Sequence, residues 1–468
     1  MAGNPKTWEY ILGIDLGTTT VKVALMERTN RTIVKTLSRE TKAQIHSDVG
    51  SLGNEQDPQK ILTALQFCVS GLPKEDLLRV RGVAISGQMH GVILWKNGEG
   101  WSRNQYGRYE VGLSSQLFTW QDGRATSDFL ESLPSPRSHL KLASGLGCVT
   151  LLWYIKNRPE FLEQYDRAGT IQDMVVAMLC GLDKPVMSIH NAASWGYFDT
   201  VSKTWNKDLL SEGDFPERFL PEVVDPGQLA GTLGAPWYGI PVGTPVIAAL
   251  GDLQCSILSR HKKDDDAVLN ISTSAQLAFQ MLAGFQPPLL DVRSSIEYFP
   301  YFNDRYLAVA ASLTGGNVMA AFVRMLQQWT HELGLGVPEA KIWDRIQSLA
   351  VDCPETDLVI SPTLFGERHN PRQKASVNNI TALNTTLGSV YSSLCKGVIE
   401  NLHSMMSQDC LLAAGIHRII GSGTAVTKNI LLQEHIRQQY KLPLELSEAS
   451  NADAAVGAAY AMLEFTAH

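Results

Sequence analysis

At 468 residues, the chain exceeds the size at which one hydrophobic core keeps growing, so two domains of roughly 200–250 residues each are expected. With 44% hydrophobic and 19% charged residues it has the composition of a folded protein, which excludes a disordered chain. A formal net charge of -7 supplies no broad basic field for nucleic acid or anionic lipid. No uninterrupted apolar run approaches the ~20 residues needed to span a bilayer, and the first ten residues lack the basic-then-apolar pattern of a secretory signal. The seven cysteines are scattered and contain no C-x-x-C pair, which argues for reduced core thiols and against a disulfide framework or a zinc site. A cytoplasmic protein that binds neither nucleic acid nor membrane is expected, as a monomer or a homodimer.

The first structured segment, Tyr10 to Asp15, is a short apolar run ending in a carboxylate. A Gly/Thr turn from Leu16 to Thr20 leads into an alternating strand, Val21 to Leu25. Helical patterns at Gln59–Ser70 and Val149–Tyr165 alternate with buried-strand patterns at Val80–Ser86 and Pro245–Leu250, which points to an α/β architecture with a covered sheet. A second strand-turn-strand at Ala267–Met281 echoes the first at constant offset, with Asn270 opposite Asp15 and Thr273 opposite Thr18. Chance and two related halves both account for such an echo. The charged run Arg260–Asp266 marks the division, giving domains 1–258 and 259–468. Helices are expected at Gly316–Leu333, Leu387–Met406, Lys428–Gln438 and Asn451–Phe465, and a loop at Ser361–Lys374.

Chemistry concentrates at a few points. Asp15 followed by Gly17, Thr18, Thr19 and Thr20 brings turn amides and hydroxyls to face a polyphosphate beside a carboxylate that meets its metal ion. The turn leads into a strand and lacks the G-K-[ST] ending, so it is not a Walker loop. Asp252 follows a strand and Gly251 and opens an apolar helical run, where it serves either as a helix cap or as the base that takes a hydroxyl proton during phosphoryl transfer. SGQMHG (Ser86–Gly91) and WQDGR (Trp120–Arg124) have the apolar platform and directional polar groups a sugar needs, in Gln88, Met89, His90, Trp120 and Asp122. Taken singly, His90 also suits a core imidazole, Trp120 packing, and Asp122 with Arg124 an ion pair. LTGGN (Leu313–Asn317) and IIGSGT (Ile419–Thr424) are Gly-rich strand-to-helix turns suited to nucleotide phosphate or adenine edges. Glu367, Arg368 and His369 crowd the loop Pro362–Pro371, either as a surface turn or as a cleft element.

In this order, GIDLGTTT, SGQMHG, WQDGR, the Gly251–Asp252 pair, the Ser272–Ser274 turn, LTGG and GSGT resemble the FGGY family of carbohydrate kinases over nearly the whole chain, Tyr10 to Phe465. The resemblance implies two actin-like (ribonuclease H-like) ATPase domains, with ATP, Mg²⁺ and a ketose in the cleft between them. It implies Asp15 at the metal, with Asp252 beside it as general base. Thr18, Thr19, Thr20, Thr273 and Gly316 are implied at phosphate, and Gly423, Thr424 and Lys428 near adenosine. Gln88, Met89, His90, Trp120 and Asp122, with Asp252, are implied on the sugar side. SGQMHG and the GER loop are similar to xylulose-phosphorylating members. WQDGR, GERHNP and GSGT look most like the branch acting on sedoheptulose, whose 7-phosphate feeds the pentose phosphate pathway. STSA in place of the commoner G-T-S-G puts Ser272 where close backbone access to phosphate is expected. A nucleotide-clamp sensor or chaperone on the same fold is the non-enzymatic alternative.

Overall fold

The computed structural model describes residues 9–260, 263–288, 294–351, 353, 356–364, 366–370, 372–447 and 453–466. His261 and Lys262 of the charged run, Pro371 at the loop end, and Asn451 and Ala452 at the head of the expected last helix lie outside the described residues.

The first sheet is built from β1 (Tyr10–Leu16), β2 (Thr20–Glu27), β3 (Ile33–Glu40), β4 (Val80–Gly87), β5 (Leu229–Thr232), β6 (Pro245–Ile247) and the short β7 (Leu250–Gly251), in the order β5-β6-β4-β1-β2-β3, with β7 also pairing β4. The hairpin β1–β2 and the pair β2–β3 are antiparallel, whereas β4 runs parallel to β1 and to β7. Every residue of β1 is buried because both faces are covered. Leu12, Ile14 and Leu16 pack with α1 (Pro58–Ser70) and α2 (Ile171–Cys180). Ile11, Gly13 and Asp15 alternate onto the other face, beneath α3 (Asp252–Leu258) and the last helix of the chain. Local chemistry sets the helix ends. Asp57 caps α1 by accepting from Gln59 and Lys60 N–H, with Pro58 in the first turn. Thr170 and Asp173 form a capping box on α2, which Gly181 ends at φ 68°.

The second sheet contains β8 (Asp266–Ile271), β9 (Ala275–Gln280), β10 (Ile296–Pro300), β11 (Tyr306–Ser312), β12 (Arg418–Ser422) and β13 (Leu444–Leu446), in the order β10-β11-β9-β8-β12-β13. Here too a hairpin, β8–β9, is antiparallel, and β12 lies parallel to β8. Stripped of its edges, the order β3-β2-β1-β4-β6 of the first sheet recurs as β11-β9-β8-β12-β13 with the same strand directions. The sequence echo between the two hairpins is therefore a repeat of structure. Helices α4 (Gly316–Glu332), α5 (Leu387–Met405), α6 (Thr424–Lys428) and α7 (Ile430–Tyr440) follow, with Ala267, Leu269 and Ile271 of β8 facing this helical layer. Val268 alternates into the core shared with the first half.

Several expectations shift. The helix expected over Val149–Tyr165 ends at Asn157, because Pro159 cannot continue it and starts a short 3₁₀ turn instead. The helix expected over Lys428–Gln438 begins instead at Ile430, where the Asn429 side-chain oxygen caps α7 by accepting from Leu431 and Leu432 N–H, and Lys428 ends the separate short helix α6 before it. A helix at Glu339–Val351 had no counterpart in the sequence reading. Among the described residues, no helix is long and apolar enough to cross a membrane, and all seven cysteines are free thiols.

The last helix, α8 (Asp453–Glu464), follows the second sheet in sequence yet packs on β1, β4 and α3 of the first. Two glycines permit the approach: a Cβ on Gly13 would lie 1.9 Å from the Ala455 carbonyl oxygen, and one on Gly457 would lie 1.8 Å from that of Cys255. Both obstacles are backbone, which cannot swing aside. Gly457→Ala is expected to destabilise the fold by about 1–3 kcal/mol through overpacking; urea denaturation reads this as a lower midpoint, and an unmoved midpoint would mean that α8 slides freely over α3.

Candidate active site

Three parallel strands end side by side. Asp15 of β1 stands in register with Ser86 of β4, and Leu250 and Gly251 of β7 flank Ser86 and Gly87 from the other side. Asp252 opens α3 immediately after Gly251. Both carboxylates therefore rise from the carboxyl ends of one sheet, the usual place for ligands in open α/β sheets. They meet from the same wall of the cleft, not from opposite walls as two domain-separated acids would.

Burial makes this corner electrostatically tense. Asp15 is 4% exposed, and its Oδ1 has no hydrogen-bond partner. Desolvation, with repulsion from the nearby Asp252 charge added to it, pushes its carboxyl up to about 7 despite Lys22. Desolvation also raises Asp252, to about 6, against the pull of its bond from Leu253 N–H at 2.7 Å. The available counter-charge is Lys22 Nζ, 3.9 Å from Asp15 Oδ2. It is the residue paired with Asp15 across the hairpin. An unpartnered buried carboxylate oxygen beside a second acid fits a divalent cation bound through one or two carboxylates. No group of three or more His, Cys, Asp or Glu that would form an all-protein cage occurs among the described residues.

The segment after β4 is wired to the phosphate-type hairpin. Gln88 N–H donates to Leu16 C=O at 3.0 Å. Gln56 Nε2 donates to Thr18 C=O at 2.7 Å, and Gln88 Nε2 donates to Gln56 Oε1 at 3.1 Å. Since a carbonyl only accepts, this chain fixes both amide orientations and leaves Gln88 Oε1 a buried acceptor without a donor. Met89 packs its sulfur against Gly251. His90 sits at φ 74°, inside a γ-turn closed by Gly91 N–H to Met89 C=O at 2.9 Å. Its Nδ1 lies 2.9 Å from Ser194 C=O and must carry the proton, so Nε2 is an acceptor. Burial pushes the ring down to about 4, keeping it neutral.

Trp120 Nε1 donates to Thr18 Oγ1 at 3.0 Å, tying the WQDGR stretch to the same hairpin. Asp122 is buried inside the first half. Its side chain is fully buried and both oxygens are taken, by Arg124, Arg124 N–H and Asn54 N–H. Arg124 also reaches Glu55 and the Tyr154 hydroxyl and lies over the Phe118 ring at 4.4 Å. Asp122 thus holds the turn that carries Trp120, and direct contact with a ligand is blocked by its own hydrogen bonds.

On the second sheet, Ser272, Thr273 and Ser274 are exposed at the β8–β9 turn. Gly316 N–H donates to Ser272 C=O at 2.8 Å and Asn317 N–H to Thr273 C=O at 2.9 Å, which pins this turn to the start of α4. Gly315 and Gly316 are required because a Cβ on either would strike the turn backbone. The Ser272 hydroxyl leans to Asn270 Oδ1 at 3.3 Å. Gly423, at φ 88°, adjoins Ile271 C=O and Asn270, while Thr424 and Lys428 are exposed on α6. Thr18, Thr19 and Thr20 gather at the turn of one hairpin and Thr273, Gly316 and Gly423 around the other.

Sequence reasoning missed Gln56, Lys22 and the anchoring of Glu367. Lys22 was accessible by counting opposite positions in the hairpin. Gln56 has no local signal. Glu367 is 1% exposed and accepts from Ser312 Oγ at 2.6 Å, Leu313 N–H at 2.9 Å and Asn401 Nδ2 at 2.8 Å.

The profile of the FGGY family of carbohydrate kinases, N-terminal domain, matches residues 10–259. The chain is 48% identical to a mouse sedoheptulokinase over 99% of its own length and 98% of the relative's, and 48% identical to the human sedoheptulokinase with the same coverage. A xylulose kinase structure from Rhodospirillum rubrum superposes with a TM-score of 0.79 over 97% of this chain and 89% of that one, at 19% identity, which speaks to the shared two-domain actin-like fold. With the profile spanning one sheet and half the site, and the relatives matching end to end, the chain belongs to the FGGY family of carbohydrate kinases.

Proposed function

We propose that this chain transfers the γ-phosphoryl group of Mg²⁺–ATP to sedoheptulose, forming sedoheptulose 7-phosphate and ADP, in the cytoplasm, as a monomer or homodimer. The product enters the pentose phosphate pathway. The observation that carries the chemistry is the corner at Gly87, where two desolvated carboxyls adjoin a segment whose free side-chain groups are acceptors. The choice of sugar rests on the end-to-end likeness to sedoheptulokinases.

Asp15, with its unpartnered Oδ1, would hold the cation, with Asp252 beside it. Mg²⁺ bound there supplies neutralisation of the phosphate charge. Amides and hydroxyls of Thr18, Thr19 and Thr20 on one side, and of Thr273 and Gly316 on the other, would hold phosphate, with Gly423, Thr424 and Lys428 near adenosine. Asp252 takes the proton of the attacking hydroxyl as that oxygen bonds to the γ-phosphorus and the bond to the β–γ bridging oxygen breaks. Gln88 Oε1 and neutral His90 Nε2 accept sugar hydroxyls, Met89 and Trp120 give apolar surface, and Asp122 positions Trp120.

Three outcomes follow. Asp252→Asn lowers kcat at least ~10²-fold with ADP affinity retained; turnover near wild type would remove the base assignment. In the free enzyme, kcat/KM for sugar falls as pH drops below about 6, where Asp252 is protonated; an unchanged profile down to pH 5 counts against it. Both acids have folded pKa values raised above the unfolded value of roughly 3.9, so the stability they confer while protonated is full below that value and lost as pH rises through about 6 to 7. Asp15→Asn therefore raises the melting temperature of ligand-free protein at pH 8, with the gap closing toward pH 4.

A panel of ketoses and polyols assayed for sugar-dependent ADP release tests the acceptor. Sedoheptulose is expected to give the highest kcat/KM; a preference for xylulose or glycerol reassigns the sugar, and hydrolysis indifferent to every sugar favours a nucleotide clamp.

A further inference from the structure

Among the described residues, Arg368 makes no hydrogen bond or ion pair, although it stands on one of the best-anchored turns of the second half. Glu367 and Asn370 exchange backbone hydrogen bonds, N–H to C=O, at 3.1 and 2.9 Å, so Arg368 and His369 form the tip of a two-residue turn. The stem is fixed by the three bonds of buried Glu367 to Ser312, Leu313 and Asn401. Ser312 ends β11 and leads into the Thr314–Asn317 turn, whose Gly316 and Asn317 amides donate to the β8–β9 turn. The exposed guanidinium thus projects from beside the phosphate-type turns of the second sheet.

Its charge acts on the far side of the cleft. The positive charge of Arg368 contributes to the lowering of His90, which lies on the first sheet. The cation that acts on Asp15 and Asp252 is instead Lys22. Arg368 is therefore not the standing counter-ion of the two acids. An arginine held on a rigid stem, exposed, and without an acid partner is a ready ligand for a phosphate dianion. Of the reaction's components only the phosphoryl groups carry negative charge, the ketose being neutral. Between the phosphate-type turns and the His90 segment, the group that passes is the one being transferred.

We propose that Arg368 contacts the transferred phosphoryl group from the second domain, stabilising its charge during transfer and holding it as the product's phosphate. This rests on the kinase reading above. It makes Arg368 a catalytic residue supplied across the cleft, and it gives the Glu367 anchor a purpose: fixing a donor before the reaction so that no reorganisation is needed as charge moves.

The test uses Arg368→Gln and Arg368→Lys in the full chain, with whichever panel sugar the wild type turns over fastest. Arg368→Gln is expected to lower kcat at least ~30-fold while KM for ATP stays within ~3-fold, with Arg368→Lys recovering part of the loss. Calorimetric titration with the corresponding sugar phosphate should show at least ~10-fold weaker binding to Arg368→Gln, with ADP affinity within ~2-fold of wild type. The melting temperature should be unchanged, because the side chain has no partner to lose. A kcat within ~3-fold of wild type, or a loss confined to nucleotide affinity, overturns the proposal while leaving the kinase reading intact. A wild type inert toward every sugar removes that reading and this one together.

Discussion

Two carboxyl groups in one corner, Asp15 buried and Asp252 partly buried, resist ionisation, and much of the surrounding structure is arranged around that tension. Asp15 and Asp252 reach the corner because β1 and β7 flank the same end of β4. Single-residue alternation then sends Asp15 to the face covered by α3 and α8. The close packing that Gly13 and Gly457 allow excludes water from beneath the acids. It thereby creates the low-polarity setting in which a cation's charge is worth most. A protein selected for stability alone would place an amide or an apolar side chain there; two adjacent acids that resist ionisation suit the proposed site, where a bound cation would relieve them.

The same helices connect that corner to the second sheet. Asp252 begins the seven-residue α3, and Arg260, two residues past its end, donates to Ser422 Oγ at 2.6 Å and to Asp453 at the start of α8. Ser422 adjoins Gly423 in the turn assigned to adenosine. One short helix therefore carries the proposed base, Asp252, at one end and, near the other, a partly buried arginine bonded to the turn proposed to meet adenosine. Burial pulls the Arg260 guanidinium down to about 10, so it remains charged at neutral pH. Any displacement of the second sheet relative to the first must be taken up around α3 and α8, close to the residue whose position the chemistry needs fixed.

The parts legible in the sequence were those written locally. The β1–β2 hairpin, the Asp252 helix and the β8–β9 echo each depend on a few adjacent residues and appear where they were expected. The family resemblance added an order of motifs that no single motif conveys. The illegible parts are tertiary. Nothing in a closing run of small residues says that α8 crosses back to the first sheet, and the division at 258/259 leaves that helix with the wrong neighbours. Asp122 looked like a sugar contact because its type and setting suit one; only the buried arrangement of Arg124, Glu55 and Asn54 shows where its oxygens are spent. Gln56 lies far in sequence from both Thr18 and Gln88, so the amide chain that orients Gln88 left no trace in local patterning.

The near-repeat of the two sheets makes the chemical difference at the end of its first strand informative. Asp15 on β1 corresponds to Asn270 on β8, each one residue before the end of the first strand of a hairpin and in register with a serine on the neighbouring parallel strand, Ser86 in one case and Ser422 in the other. Ser86 Oγ donates to Ile14 C=O at 3.1 Å and Ser422 Oγ to Leu269 C=O at 3.0 Å, so the local scaffolds match down to a hydroxyl. What differs is the charge. A carboxylate at 270 would stand among the Ser272, Gly316 and Gly423 turns with no lysine opposite, since Gln276 holds the place that Lys22 has on the first sheet. It would repel phosphate unless a second cation joined it. The neutral amide keeps Oδ1 as an acceptor for the Ser272 hydroxyl and leaves the turn amides free of a competing anion. The two halves thus share a frame and differ in charge, a division that suits the proposed function, in which the first would hold a cation and the second would admit phosphate.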